Sequence, residues 1–248
     1  MRILVLLLAL ATPVVAWLSQ TGAFGPDQGT ISDRYPTLLV AAGWAFSIWS
    51  LIFVLDIVHG VLQLTGRRRN DQTLGRIAPA TAAGFFLTMI WMPLFSQEMF
   101  WLCLAVIFGA LGCLAWSALV LSRSRGNAWS WLALSLHAGW LSLAAFLNLA
   151  QTIVAHELLP TADMLGWSAV LLALAAALLL ALNQAMRGNW GYAAAALWGL
   201  VAVYLEQSGS TLAGSSTAAW IAAVIAAALL AQTLWLRLAR GRGRAGVR

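Results

Sequence analysis

The sequence predicts an all-α, polytopic membrane helix bundle of about eight transmembrane helices, on three observations. Apolar residues make up 62% of the 248-residue chain and charged residues only 9%, whereas a soluble domain carries about 25% charged residues. The apolar residues fall into repeated runs close to the ~20 residues that span a bilayer as helix. Arginine and acidic residues then alternate from one connection to the next, as they do when basic residues stay on the cytoplasmic side.

Taken in order, the first span is Arg2–Ser19. Its short basic start and the sequence Thr-Pro-Val-Val-Ala also resemble a secretory signal peptide with cleavage after Ala16, which would leave seven spans. Gln20–Pro36 holds Gly22, Gly25, Pro26, Gly29 and Pro36, too many breakers for a span, and is expected as a loop. The second and third spans are Thr37–Leu64 and Ala78–Phe95, the latter with Pro93 expected to kink it. The fourth, Phe100–Leu121, contains both cysteines. Cys103 and Cys113 would lie roughly 15 Å apart along one helix, too far for a disulfide. Trp129–Thr152 is the fifth. Leu165–Met186, Trp190–Leu205 and Thr217–Leu236 complete the set, with alanine-rich stretches suited to close helix packing.

All 14 basic residues are arginine and the formal charge is +6. With the N-terminus inside, the inner connections hold every arginine except Arg34: Arg2, Arg67–Arg69, Arg76, Arg123, Arg125, Arg187 and the tail from Arg237 to Arg248. The outer ones hold Asp27, Asp33, Glu98, Glu157, Asp163 and Glu206. Both termini are therefore expected in the cytoplasm, with no soluble face to bind nucleic acid.

No phosphate-binding loop, His-Glu-x-x-His or Cys-x-x-Cys occurs in the sequence, so neither an enzyme nor a metal site is expected. Its unusual feature is 14 tryptophans. Trp17, Trp129, Trp131, Trp167, Trp190 and Trp235, near span ends, suit an interfacial belt. Others fall on helical stripes. Trp49, Phe53 and Asp56 share one in the second span, and Gly84, Thr88, Trp91 and Phe95 share one in the third. His137, Trp140, Ala144, Asn148 and Gln151 share one in the fifth. Polar groups are costly against lipid, so these stripes should face inward. They fit two readings: walls of a pocket for a flat, largely apolar ligand, or contacts that simply knit helices together. Asp56, His59 and His137 form a candidate intramembrane polar site, with His59, one turn away, the simplest local partner for Asp56.

These residues resemble the TspO/MBR family, the tryptophan-rich sensory or translocator proteins. Ile48-Trp49-Ser50-Leu51-Ile52-Phe53 is similar to the family's Val-Trp-Gly-Thr-Leu-Tyr. Trp91-Met92-Pro93-Leu94-Phe95 is similar to Trp-Pro-Pro-x-Phe. Trp140 and Asn148 keep the eight-residue interval of Trp-x-x-Phe-Ala-x-x-Leu-Asn. The sequence departs from the pattern at Thr88, at Leu136-His137 and at Thr152, and it lacks the family's sterol-associated motif.

The resemblance implies a five-helix part over residues 1–155, with a lid after the first helix, and a three-helix extension over residues 156–248. It implies a ligand pocket from Trp49, Phe53, Trp91, Pro93, Phe95, Trp140 and Asn148, to which Thr88 is added as a candidate from the stripe it shares with Trp91, with a porphyrin or other tetrapyrrole as the ligand class and no other cofactor. The expected function is that of a sensory or ligand-binding protein of the bacterial inner membrane. The alternatives are a transporter of small lipophilic molecules and a structural subunit of a larger, photosynthetic complex. Expected partners are the lipid bilayer, the lipophilic ligand, and a second copy or a larger membrane complex.

Overall fold

The computed structural model describes residues 1–124 and 127–245, with side chains throughout except at residue 67 and residues 240–245. The expected positions of Arg125 and Arg248 lie outside the described residues, as do the side chains of Arg67, Arg240, Arg242 and Arg244. Among the described residues, nine α-helices follow in order: α1 (Arg2–Gln20), α2 (Gln28–Arg34), α3 (Ile48–Leu62), α4 (Gln72–Ser96), α5 (Phe100–Arg123), α6 (Ala128–Ala155), α7 (Leu165–Ala185), α8 (Trp190–Gly209) and α9 (Ser215–Ala245).

Among the described residues, seven segments are long and apolar enough to cross a membrane. One of them joins α3 to the 3₁₀ turn Gly43–Ser47 ahead of it. The remaining expected span, Trp190–Leu205, falls on α8, which is 20 residues long. It ends in the polar run Glu206-Gln207-Ser208, and this shortens its apolar stretch.

Three differences from expectation bear on the site, each with a local reason. The loop after α1 contains a helix, α2, because the Asp27 carboxylate accepts from the amides of Gly29 and Thr30 and caps its start. The second span becomes helical only at Gly43, five residues after Leu38 and seven after Pro36, so Thr37–Ala42 crosses the end of the bundle without helix. The third span begins six residues early. Asp71 caps it by accepting from the Leu74 amide, and the helix runs unbroken past Pro79 and Pro93.

The helices close two rings that share α6. In the first, α1 packs on α3 and α4, α4 on α5, α5 on α6, and α6 back on α3. In the second, α6 packs on α7 and α8, and both of these pack on α9. Lipid offers no hydrophobic drive for helices to associate, so close approach through small residues matters. Gly139 of α6 lies against the backbone of Tyr192 in α8, where a methyl group would sit 2.2 Å from the carbonyl oxygen. Gly60 of α3 meets the backbone of Leu6 in α1 in the same way.

Among the described arginines, Arg2, Arg68 and Arg69 meet at one end of the bundle. Arg2 donates to the carbonyls of Gln63 and Arg68 at 3.1 and 2.8 Å and to that of Asp71, binding the start of α1 to the turn between α3 and α4. Arg34, the exception, sits at the opposite end and pairs with Glu98.

Candidate functional site

Inside the first ring, in the half nearer Glu98, lies a narrow cavity of about 30 Å³. Its walls come from α3 (Trp49), α4 (Trp91 and Phe95), α5 (Ile107) and α6 (Trp140, Ala144, Leu147, Asn148 and Gln151). Its roof comes from the segment before α3, through Ser32, Val40, Ala41 and Phe46. The inward stripe of α6 delivers four of these side chains because positions three and four apart share a helix face.

The aromatic walls are mutually braced. Trp49 meets Trp140 edge to face at 6.0 Å and stacks on Phe53 at 5.4 Å, while Trp91 stacks on Phe95 at 4.8 Å. Phe46 reaches Trp140 from the roof at 6.2 Å. The polar groups are unevenly satisfied. Trp91 Nε1 donates to Asn148 Oδ1 at 3.0 Å. The Asn148 amide nitrogen and the indole nitrogens of Trp49 and Trp140 are buried with no partner. Three hydrogen-bond donors thus stand unpaired around one cavity, and nearly all buried donors in proteins are paired.

A second space adjoins the first. Between α1 and α3 a groove of about 510 Å³ opens sideways, lined by Pro13, Ala16, Trp17, Phe53, Val54, Ile57 and neighbours. Phe46 and Trp49 line both spaces and form the partition between them.

Five of the residues the sequence nominates, Trp49, Trp91, Phe95, Trp140 and Asn148, come together at the cavity. Phe53 lies on the groove side of Trp49. Pro93 is half-buried in α4 and lines neither space. Thr88 lies deeper, bonded to His137 Nε2 at 3.3 Å. The expected pairing of Asp56 with His59 is corrected: Asp56 Oδ2 meets His137 Nδ1 at 2.8 Å. A side chain from a facing helix can meet the carboxylate head on, whereas His59 lies on the same helix and packs at right angles to the ring of Phe85.

The lid expected after the first helix overlaps the roof only at Ser32; Val40, Ala41 and Phe46 were expected inside the second span. The roof is held from three sides. Gln151 donates to Ser32 Oγ at 3.0 Å. Tyr35 donates to Glu98 at 2.7 Å, and accepting that bond is the main reason Glu98 pushes the phenol above its ordinary range. From α8, the Gln207 amide donates to the carbonyls of Thr37 and Val40, and Trp198 donates to that of Ala45 at 3.0 Å.

A polytopic helix bundle around an aromatic-walled cavity defines an integral membrane protein. The chain belongs to the family of TSPO-like proteins, whose model matches residues 2–235 and so includes the three helices after α6. No curated protein and no solved structure matches the chain.

Proposed function

We propose that the protein is a membrane ligand-binding, sensory protein that takes a flat lipophilic molecule bearing hydrogen-bond acceptors, of the tetrapyrrole class, between Trp49, Trp91 and Trp140. The observation that carries this reading is the set of three unpaired donors on Trp49, Trp140 and Asn148. If these side chains only knitted helices, their N–H groups would be left buried at about 1–3 kcal/mol each. A ligand presenting oxygens or ring nitrogens would pair them. No residue lining the cavity is titratable, which favours binding over catalysis.

At about 30 Å³ the cavity holds roughly one water, so a ligand must move the partition. Rotation of Trp49 and Phe46 would join the cavity to the lateral groove and give a lipophilic molecule access from the bilayer, without passing through water.

Titration with protoporphyrin, followed by tryptophan fluorescence, tests this reading. Binding should quench saturably. Trp140→Ala should weaken it about 30-fold, the equivalent of roughly 2 kcal/mol. Trp235→Ala, at an exposed ring on α9, should leave it unchanged. Asn148→Leu keeps volume but removes the polar handle and should cost about 1–2 kcal/mol. Equal titration of the Trp140 and Trp235 variants, both correctly folded, would show that these rings are packing residues only.

A further inference from the structure

Beneath the cavity, toward the arginine-bearing end, a second set of buried polar groups runs down one face of α3. Asp56, His59 and Gln63 succeed one another at three and four residues, one stripe, over about 10 Å of axial rise. Each is at most 3% exposed.

The hydrogen bonds at the top of this stripe fix where protons lie. Thr88 Oγ1 is 2.9 Å from the carbonyl of Gly84, and its single hydroxyl hydrogen points there. At its contact with His137 Nε2 it therefore accepts, so Nε2 carries a hydrogen. One further proton lies between His137 Nδ1 and Asp56 Oδ2. It sits either on the imidazole beside an ionised carboxylate or on the carboxyl beside a neutral ring. The pair is neutral overall in both forms, which suits its depth in the bundle.

The rest of the stripe has no protein partner. Asp56 Oδ1, both ring nitrogens of His59, and both amide atoms of Gln63 are buried and unpaired. A neutral imidazole has one donor and one acceptor nitrogen, and the Gln63 amide likewise offers both. These atoms therefore supply donors and acceptors in succession, the arrangement a file of bound water needs. The stripe ends at Arg2, whose guanidinium holds the Gln63 carbonyl at the end of the bundle.

We propose that this stripe is a proton path, by which the Asp56–His137 pair exchanges protons with water at the arginine-bearing end, past Gln63 and through His59. His59 takes a proton from hydronium on one ring nitrogen, leaving water, and releases the hydrogen on its other nitrogen to Asp56 Oδ1. It returns to a neutral ring of the opposite tautomer. The pair has then gained one proton and one positive charge, with His137 an imidazolium and Asp56 a neutral acid. The reverse transfers discharge it. Among the described residues, α6 brings only His137 to the pair, and α1 and α4 add only Arg2 and Arg76, near their ends. Trp49 meets the His137 ring at right angles at 5.6 Å and Phe85 stacks on it at 5.9 Å, so the charge is carried directly under the cavity wall.

The test needs no ligand. In protein labelled with ¹⁵N-histidine and held in phosphatidylcholine nanodiscs, the three histidines are assigned by single substitution and their ring protons followed as they exchange with water. His137 should show a protonated Nε2 and exchange faster than the backbone amides of α6. Its Nδ1 signal should move in Asp56→Asn. His59→Phe and Gln63→Leu, each close in volume to the native side chain, should slow its exchange about tenfold or more while leaving His156 unaffected. Exchange at the native rate in both variants would overturn the path. So would a His137 ring as protected as the α6 amides in the native protein, a result that does not depend on any variant folding.

Discussion

The two rings that share α6 use buried polar groups differently. In the second ring most are consumed by one another, with Ser168 Oγ, Asn183 Oδ1 and Gln207 Oε1 left over. The Asn189 amide nitrogen donates to Ser122 and Ser135, its oxygen accepts from the amides of Gly191 and Tyr192, and Tyr192 donates to Ser142 at 2.9 Å. Asn183 donates to Gln232 and Thr233, tying α7 to α9. In the first ring the Trp49, Trp140 and Asn148 donors and the Asp56–Gln63 stripe are left over. Paired polar groups hold helices together; unpaired ones at equal depth point to a guest, whether a ligand or a proton. The second ring is also not a mere neighbour. Through α8 it holds the roof of the cavity, and Gly199 brings α8 against the ring of Trp140.

The strongest way to break this comparison is to force the rings apart. In Gly139→Ala the new methyl group would collide with the Tyr192 carbonyl, and backbone on both sides leaves nothing flexible to yield. A loss of about 3 kcal/mol in unfolding free energy is expected, read from reversible denaturation in mixed micelles. Gly112→Ala, with open space at its Cβ position, should stay within about 0.5 kcal/mol of the native protein. Because α8 carries the roof, Gly139→Ala should also weaken protoporphyrin quenching. Quenching unaffected by a destabilised α6–α8 contact would mean that the second ring does not support the site.

A smaller effect sharpens the same point. Trp198→Phe keeps a ring between α8 and Trp44, which it meets edge to face at 4.8 Å, but deletes the hydrogen bond to the Ala45 carbonyl. A cost of about 1 kcal/mol is expected. It should appear as faster hydrogen exchange in residues 40–47 and not in α9. Uniform acceleration across both segments would assign Trp198 to general packing.

What the sequence made legible divides along the same line. The α6 stripe was readable because Trp140, Ala144, Asn148 and Gln151 repeat at helical spacing and polar side chains cannot face lipid. The arginine alternation likewise separates the two ends of the bundle. The Asp56–His137 contact was not readable, since it joins residues 81 apart in sequence and depends on how two helices are rotated against each other. A local partner, His59, was the better guess on spacing alone. The roof was legible only in part, as the lid expected after the first helix, and for a different reason. Ser32, Val40, Ala41 and Phe46 sit in a segment whose shape is set by bonds from α6 and α8, not by its own pattern.

The smallest expected effect concerns that roof at its free edge. Asp27 caps α2, and its carboxyl is held below the usual carboxylate range, chiefly by the bond from the Thr30 hydroxyl and then by the Thr30 and Gly29 amides. A group whose folded value is depressed lends stability above its unfolded value and loses it as the pH falls through the folded one. The cap should therefore be fully effective at neutral pH and should weaken only below about pH 4. Asp27→Ala should cost about 1 kcal/mol, confined to α2. Its α2 amides should exchange faster than the native ones at neutral pH, and the two proteins should converge in strong acid. Asp27→Asn, which still caps but does not titrate, should keep the neutral-pH protection and lose the acid dependence. If the native α2 showed no acid loosening while Asp27→Ala still freed it, the carboxylate charge would be irrelevant and the capping geometry alone would hold the roof's edge.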